Sequence, residues 1–65
     1  MHSIGIDIGG TKIAAGLVAP DGELSQVVKV PSPASDPVLM TQTVVKLINQ
    51  LAEGNEIESV GIAAA

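Results

Sequence analysis

Hydrophobic residues alternate with small or polar ones over the first thirty positions, and the period then changes to that of a helix. From Ser3 to Ile8, Ile4, Ile6 and Ile8 fall on one face and Gly5 and Asp7 on the other, which predicts a strand with one buried side. Gly9-Gly10 reads as a turn, and Lys12 to Ala19 as a second strand. Pro20-Asp21-Gly22 has reverse-turn chemistry: proline presets φ, aspartate caps, and glycine accepts the left-handed conformation. Leu24 to Val30 follows as a third strand that pairs back as a hairpin, with Val28 and Val30 on one face. Pro31-Ser32-Pro33-Ala34-Ser35 is too rich in proline for a helix or a central strand and reads as an extended connector.

The helical stretch opens at Asp36-Pro37, an acceptor at the N-cap followed by proline at the first helical position. Met40, Val44, Leu47, Ile48 and Leu51 then make one apolar face, while Thr41, Gln42, Lys46, Asn49, Gln50 and Glu53 make the solvated side. Gly54 is placed to stop the helix, and Asn55-Glu56-Ile57-Glu58 leads into a fourth strand. The predicted order is β-β-β-α-β, an α/β class, with no internal repeat and no linker to a second domain.

Composition sharpens this reading. The 65 residues include no Cys, Phe, Tyr or Trp, yet 46% are hydrophobic and the mean hydropathy is +0.46. A chain of this size buries only about 60% of the surface its unfolded form exposes, so so apolar a composition implies that it leans on further chain or a second copy. Ser59-Val60-Gly61-Ile62-Ala63-Ala64-Ala65 reads as a strand that stops without a turn or cap, so residues 1–65 are expected to be the N-terminal portion of a larger domain. With its outer strand unpaired, the isolated chain is expected to associate or to be only partly ordered. The net charge is −4, and the only basic residues, Lys12, Lys29 and Lys46, are far apart in sequence, which argues against nucleic acid as a partner. No stretch is long enough to cross a membrane as a helix, and the N-terminus has no signal-peptide pattern. A cytoplasmic location is the default expectation.

The candidate chemistry lies in Ile4-Gly5-Ile6-Asp7-Ile8-Gly9-Gly10-Thr11-Lys12-Ile13. An apolar strand brings the Asp7 carboxylate to a glycine turn, from which a second apolar strand leaves at once. Gly9 and Gly10 are expected to bend through positive φ and to present N–H groups to phosphate oxygens. Thr11 adds a hydroxyl donor, and Asp7 can hold Mg²⁺ through its water shell. Gly5-x-x-x-x-Gly10-Thr11-Lys12 only approaches the P-loop pattern, because its last two residues are reversed and no helix follows. The dinucleotide fingerprint G-x-G-x-x-G is absent. What remains is a strand–turn–strand phosphate loop.

The element order resembles the opening of the ribonuclease-H-like fold shared by actin-like ATPases, sugar kinases and heat-shock chaperone ATPases, in which three antiparallel strands lead through a crossover helix to a parallel fourth. Within that group, Asp7-Ile8-Gly9-Gly10-Thr11-Lys12 is similar to the first phosphate motif of the ROK family (repressors, open reading frames and kinases). The resemblance continues through Ile13-Ala14-Ala15-Gly16-Leu17-Val18, the Asp21-Gly22 turn, Pro31-Ser32-Pro33 and Val60-Gly61-Ile62-Ala63. Among ROK members the wording is most similar to bacterial glucokinases, with N-acetylmannosamine kinases second.

This resemblance implies ATP-dependent phosphorylation of a hexose, glucose first, by a longer protein. It implies ATP and Mg²⁺ as cofactors, with Gly5, Ile6, Asp7, Ile8, Gly9, Gly10, Thr11 and Lys12 as the nucleotide stretch and Asp7 organising the metal through water. The same resemblance puts the general base, the sugar-binding glutamate and histidine, and a structural zinc cluster beyond these residues. The 65-residue chain is therefore expected to be inactive alone, and the whole protein to be a homodimer or tetramer. A second class stays open, the sugar-responsive ROK repressors, although these often carry a degraded phosphate motif; a third is another actin-like ATPase, against which Gly-Gly-Thr-Lys argues.

Several residues have structural readings beside the functional ones. Asp7 can cap the glycine turn, and Gly9-Gly10 can be an ordinary hairpin turn. Asp21 and Asp36 belong to a turn and a cap. Gly5, Gly16 and Gly61 are read as close-packing positions within the sheet. His2 is a lone terminal histidine, and Glu53, Glu56 and Glu58 form a solvated helix end and loop.

Overall fold

The computed structural model describes residues 1–33 and 35–64. Ala34 and Ala65, expected in the connector and the fourth strand, lie outside the described residues. The elements are β1 (His2–Ile8), β2 (Lys12–Val18), β3 (Leu24–Pro31), α1 (Pro37–Ala52) and β4 (Ile57–Ala64), in the order expected from the sequence. They form one sheet of order β3-β2-β1-β4. β1 pairs antiparallel with β2 and parallel with β4, and β2 pairs antiparallel with β3. Pro31 ends β3 opposite Lys12; an edge strand tolerates it because proline there lacks only a donor that no neighbour needs.

One face of the sheet meets the helix. Ile4, Ile6, Ile13, Ala15 and Leu17 are buried against Leu47 and Leu51, with Met40, Val44 and Ile48 half-buried around them. The expected helix stripe is therefore the packed one. Asp36 accepts a hydrogen bond from the Leu39 N–H at 3.0 Å, which satisfies one free donor of the first turn. At the other end Gly54 takes φ +77°, and the Asn55 side-chain amide donates to the Leu51 carbonyl at 3.1 Å. The β2–β3 turn closes as its chemistry requires. Gly22 takes φ +89°, and Asp21 Oδ1 accepts from the Glu23 N–H at 2.9 Å.

α1 lies over β1 and β2 and leaves β4 largely uncovered. Val60 and Ile62 pair in register with Ile4 and Ile6, so they share the helix face, yet they are 41% and 56% exposed. Val38, Leu39 and Val45 on α1 are exposed as well, apolar positions on the side expected to be solvated.

The opposite face carries no helix. Register places Gly5, Asp7, Ala14, Gly16, Gly61 and Ala63 there, around an open cavity of about 540 Å³ whose rim includes Leu24 and Val27. A β-bulge shapes that rim. Ala15 pairs with Val28 and Leu17 with Ser25, so Gln26 and Val27 both stand opposite Gly16, and Gln26 takes φ +50°. The extra residue swings Leu24 over Gly16, where an added Cβ would lie 2.6 Å from Leu24 Cδ1. Close packing at Gly16 extends only to the tip of Leu24, an exposed side chain that can move aside for a Cβ. Gly5 and Gly61 are not close-packed, contrary to the sequence reading: a Cβ on either meets nothing within 4 Å, because both open onto the uncovered face.

Candidate phosphate-binding hairpin

Asp7 stands near the end of β1, exposed, on the face away from the helix and opposite Ala14. Ile6 and Ile8 point the other way. Ile6 is part of the core and Ile8 packs against it, so these two neighbours fix the strand on which Asp7 rides rather than offering side chains to a ligand. Gly5 lies one step further back along the uncovered face.

The loop between β1 and β2 differs from the expected geometry. Ile8 pairs with Ile13, and the Gly9 N–H donates to the Lys12 carbonyl at 2.9 Å. The turn is therefore Gly10-Thr11, and the Gly9 N–H is committed to the hairpin. Positive φ is not what the two glycines provide, since among the described glycines only Gly22 and Gly54 take it. Their roles are spatial and distinct. A Cβ on Gly9 would lie 3.1 Å from the Lys12 carbonyl oxygen, so any other residue there forces the strands apart by a few tenths of an ångström. A Cβ on Gly10 meets nothing within 4 Å, which leaves the apex open for another molecule's atoms to approach the backbone.

Thr11 follows at the exposed apex, and its carbonyl accepts the Ser32 N–H at 2.9 Å, tying the connector after β3 to the loop. The Ser32 hydroxyl is buried and has no hydrogen-bond partner among the described residues. Lys12 alternates with the buried Ile13 and so falls on the same face as Asp7. A second cavity, of about 290 Å³, is lined by Thr11, Lys12, Lys29, Val30 and Pro31. Lys29 is absent from the sequence-derived stretch. The signal that finds it is register: Lys29 pairs with Ala14, which pairs with Asp7, so the three form one row across β3, β2 and β1.

Chemically, the arrangement suits an anion. The open apex, the Thr11 hydroxyl and two ammonium groups suit phosphate oxygens. Among the described residues no three carboxylate or imidazole groups gather at one point. A Mg²⁺ here would rely on Asp7 and complete its octahedron with water and phosphate oxygens. No helix among the described residues is long and apolar enough to cross a membrane.

Three antiparallel strands, a crossover helix and a parallel fourth strand, with a carboxylate beside the first hairpin, define the start of an actin-like ATPase fold. The chain belongs to the ROK family, whose model matches residues 3–65. It is 43% identical over 63 residues to a glucokinase of Streptomyces coelicolor, covering 97% of this chain and 20% of that protein. It is 38% identical over 66 residues to an N-acetylmannosamine kinase of Escherichia fergusonii, covering 95% of this chain and 23% of that one. Among solved structures, it superposes on a ROK family glucokinase from Streptomyces griseus, in complex with glucose and AMPPNP, with a TM-score of 0.89 and 38% identity. That match covers 100% of this chain and 20% of the other. A ROK hexokinase from Thermus thermophilus gives a TM-score of 0.84 at 29% identity, covering 98% and 22%. The chain thus spans about a fifth of the length of the relatives it matches.

Proposed function

We propose that this chain is the phosphate-binding portion of an ATP-dependent sugar kinase, with glucose the first substrate to test. The observation that carries the reading is the open Gly10-Thr11 apex beside Asp7, on a face that the chain's own helix leaves free. The relatives support it: two are glucokinases, one of them in complex with glucose and AMPPNP, and one is an N-acetylmannosamine kinase. Glucose takes precedence because the glucokinase match has the higher identity.

On this reading Gly5, Ile6, Asp7, Ile8, Gly9, Gly10, Thr11 and Lys12 form the nucleotide stretch, in different ways. Gly10, Thr11 and Lys12 meet phosphate, Asp7 orients the metal's water shell, Gly9 lets the hairpin close, Ile6 and Ile8 hold the strand in place, and Gly5 keeps the face behind Asp7 open. Bound Mg²⁺ would neutralise charge on the transferring phosphoryl group. The chain's own residues position that group and leave the sugar hydroxyl to a base outside residues 1–65. The structural zinc, the cytoplasmic location and the dimer or tetramer belong to the same proposal.

A chimera tests it. Residues 1–65 replace the matching segment of the S. coelicolor glucokinase, and ADP formation is followed with glucose and with N-acetylmannosamine. Glucose-dependent turnover is expected, falling at least a hundredfold in the chimera with Asp7→Asn. A folded chimera that binds glucose but turns over no ATP overturns the proposal. The 65-residue chain alone is expected to show no turnover.

A further inference from the structure

The second cavity concentrates charge in a way that the nucleotide stretch does not explain. Two of the chain's three lysines, Lys12 and Lys29, line it together with Thr11, and none of its five lining residues is a carboxylate. Both lysines are exposed, and they come from neighbouring strands, β2 and β3. They are diagonal neighbours across the β2–β3 pair, Lys12 facing Pro31 and Lys29 facing Ala14, so both ammonium groups reach one anion without standing directly opposite each other. The rest of the chain is acidic, with seven carboxylates, so this is a local reversal of its overall charge.

Geometry links Lys29 to the hairpin apex. Lys29, Ala14 and Asp7 occupy one row on the uncovered face, roughly 10 Å from β3 to β1 at ordinary strand spacing, with only the Ala14 methyl between them. The row is held to the loop at two points, by the pairing of Lys12 with Pro31 and by the Ser32 N–H on the Thr11 carbonyl. Lys29 therefore keeps a fixed place relative to the apex. The bulge at Gln26 and Val27 lies on the far side of Val28, so it leaves the register of Lys29 intact.

We propose that Lys29 is a cationic arm of the phosphate site, acting with Lys12 on the polyphosphate whose metal ion is held at Asp7. The ligand class is a linear polyphosphate, as in a nucleoside triphosphate. The inference rests on the phosphate reading above and adds to it a residue from the third strand. Lys29 contacts the ligand and takes no part in proton transfer.

The test titrates the S. coelicolor glucokinase chimera that carries residues 1–65 with inorganic tripolyphosphate and Mg²⁺, reading the dissociation constant by calorimetry. Lys29→Ala is compared with Lys29→Arg and with Lys46→Ala. Lys46 is exposed on α1, across the sheet, so its loss changes net charge equally without touching the cavity. One ammonium lost from contact distance in water weakens binding on the order of fivefold. The expected pattern is a fivefold loss for Lys29→Ala, with Lys29→Arg and Lys46→Ala within about twofold of wild type. Equal losses for Lys29→Ala and Lys46→Ala overturn the inference and leave the phosphate reading standing. A folded chimera with the wild-type segment that binds no tripolyphosphate at millimolar ligand overturns both. Lys29→Arg keeps the charge and Lys29 is exposed, so retained cooperative melting of each chimera separates lost contact from lost fold.

Discussion

Gly9 and Gly10 are adjacent and chemically identical, yet the structure assigns them opposite sensitivities to a single methyl group. At Gly9→Ala the new Cβ lies 3.1 Å from the Lys12 carbonyl oxygen, closer than ordinary van der Waals contact, and that oxygen is the acceptor for the Gly9 N–H. Relief requires the two strands to part by a few tenths of an ångström, which strains or breaks that hydrogen bond, a net loss of about 1 kcal/mol. At Gly10→Ala the Cβ meets nothing within 4 Å and φ is not left-handed, so the change narrows the unfolded ensemble and stabilises by roughly 0.5 kcal/mol. The unfolded-state gain is common to both, so the two variants should differ by about 1 kcal/mol, close to fivefold in the folding constant. For a domain of this size that is roughly 4–8 °C in Tm, well within what thermal unfolding by far-ultraviolet circular dichroism resolves. Ligand affinity should invert the order of concern. Gly10→Ala, the more stable variant, should lose about tenfold in tripolyphosphate binding, because its methyl occupies the open approach to the apex. Equal Tm values would refute the steric argument at Gly9, and wild-type affinity in Gly10→Ala would refute the apex as the point of phosphate contact.

Asp7 is exposed and away from the core, so Asp7→Asn should leave stability within about 0.5 kcal/mol while removing the Mg²⁺-dependent part of tripolyphosphate affinity, read by titration with and without the metal. Gln26 holds φ +50° at the bulge, so Gln26→Gly should raise stability by about 0.5–1 kcal/mol in urea unfolding, against the usual direction of a glycine substitution in a strand. Leu51 is 1% exposed beneath the sheet, and Leu51→Ala should cost about 2–4 kcal/mol, enough to unfold much of so small a domain. Asp36→Ala removes the acceptor for the Leu39 N–H and should cost about 1 kcal/mol, seen as an earlier urea midpoint.

Elements with one periodic face were legible from the residues alone. Ile4, Ile6 and Ile8, and the Met40 to Leu51 stripe, each name a single buried side, and the parallel fourth strand followed from family resemblance. The third strand was less readable. Val27-Val28 is an apolar pair that fits either face, so nothing in its wording marks the bulge that places Leu24 and Val27 over Gly16. Gly5 and Gly61 were misread for a related reason: a glycine looks the same in sequence whether its space is filled or empty. The stretch from Asp7 to Lys12 stands out as a motif, but its turn reads one residue early in sequence, because the commitment of the Gly9 N–H to Lys12 is a property of strand pairing. Lys29 lies 22 positions from Asp7 by their numbers and becomes its row-mate only once two hairpin registers are known.

The central strand has partners that become available at very different moments of synthesis. β2 follows β1 after a two-residue apex, so the hairpin that carries Asp7 and Thr11 can close as soon as it leaves the ribosome. β4 reaches β1 from far away; Ser3 and Ser59, whose hydroxyls meet at 2.9 Å, are 56 positions apart. Between those events α1 emerges and settles over β1 and β2, while the outer edge of β1 still has unpaired amides. Local contacts form fast and distant ones slowly, so the β1–β2 hairpin is built early and the parallel closure late. The nascent chain is thus most vulnerable to wrong strand partners while β1 awaits β4, and a pause in translation just before Ile57 would lengthen that interval.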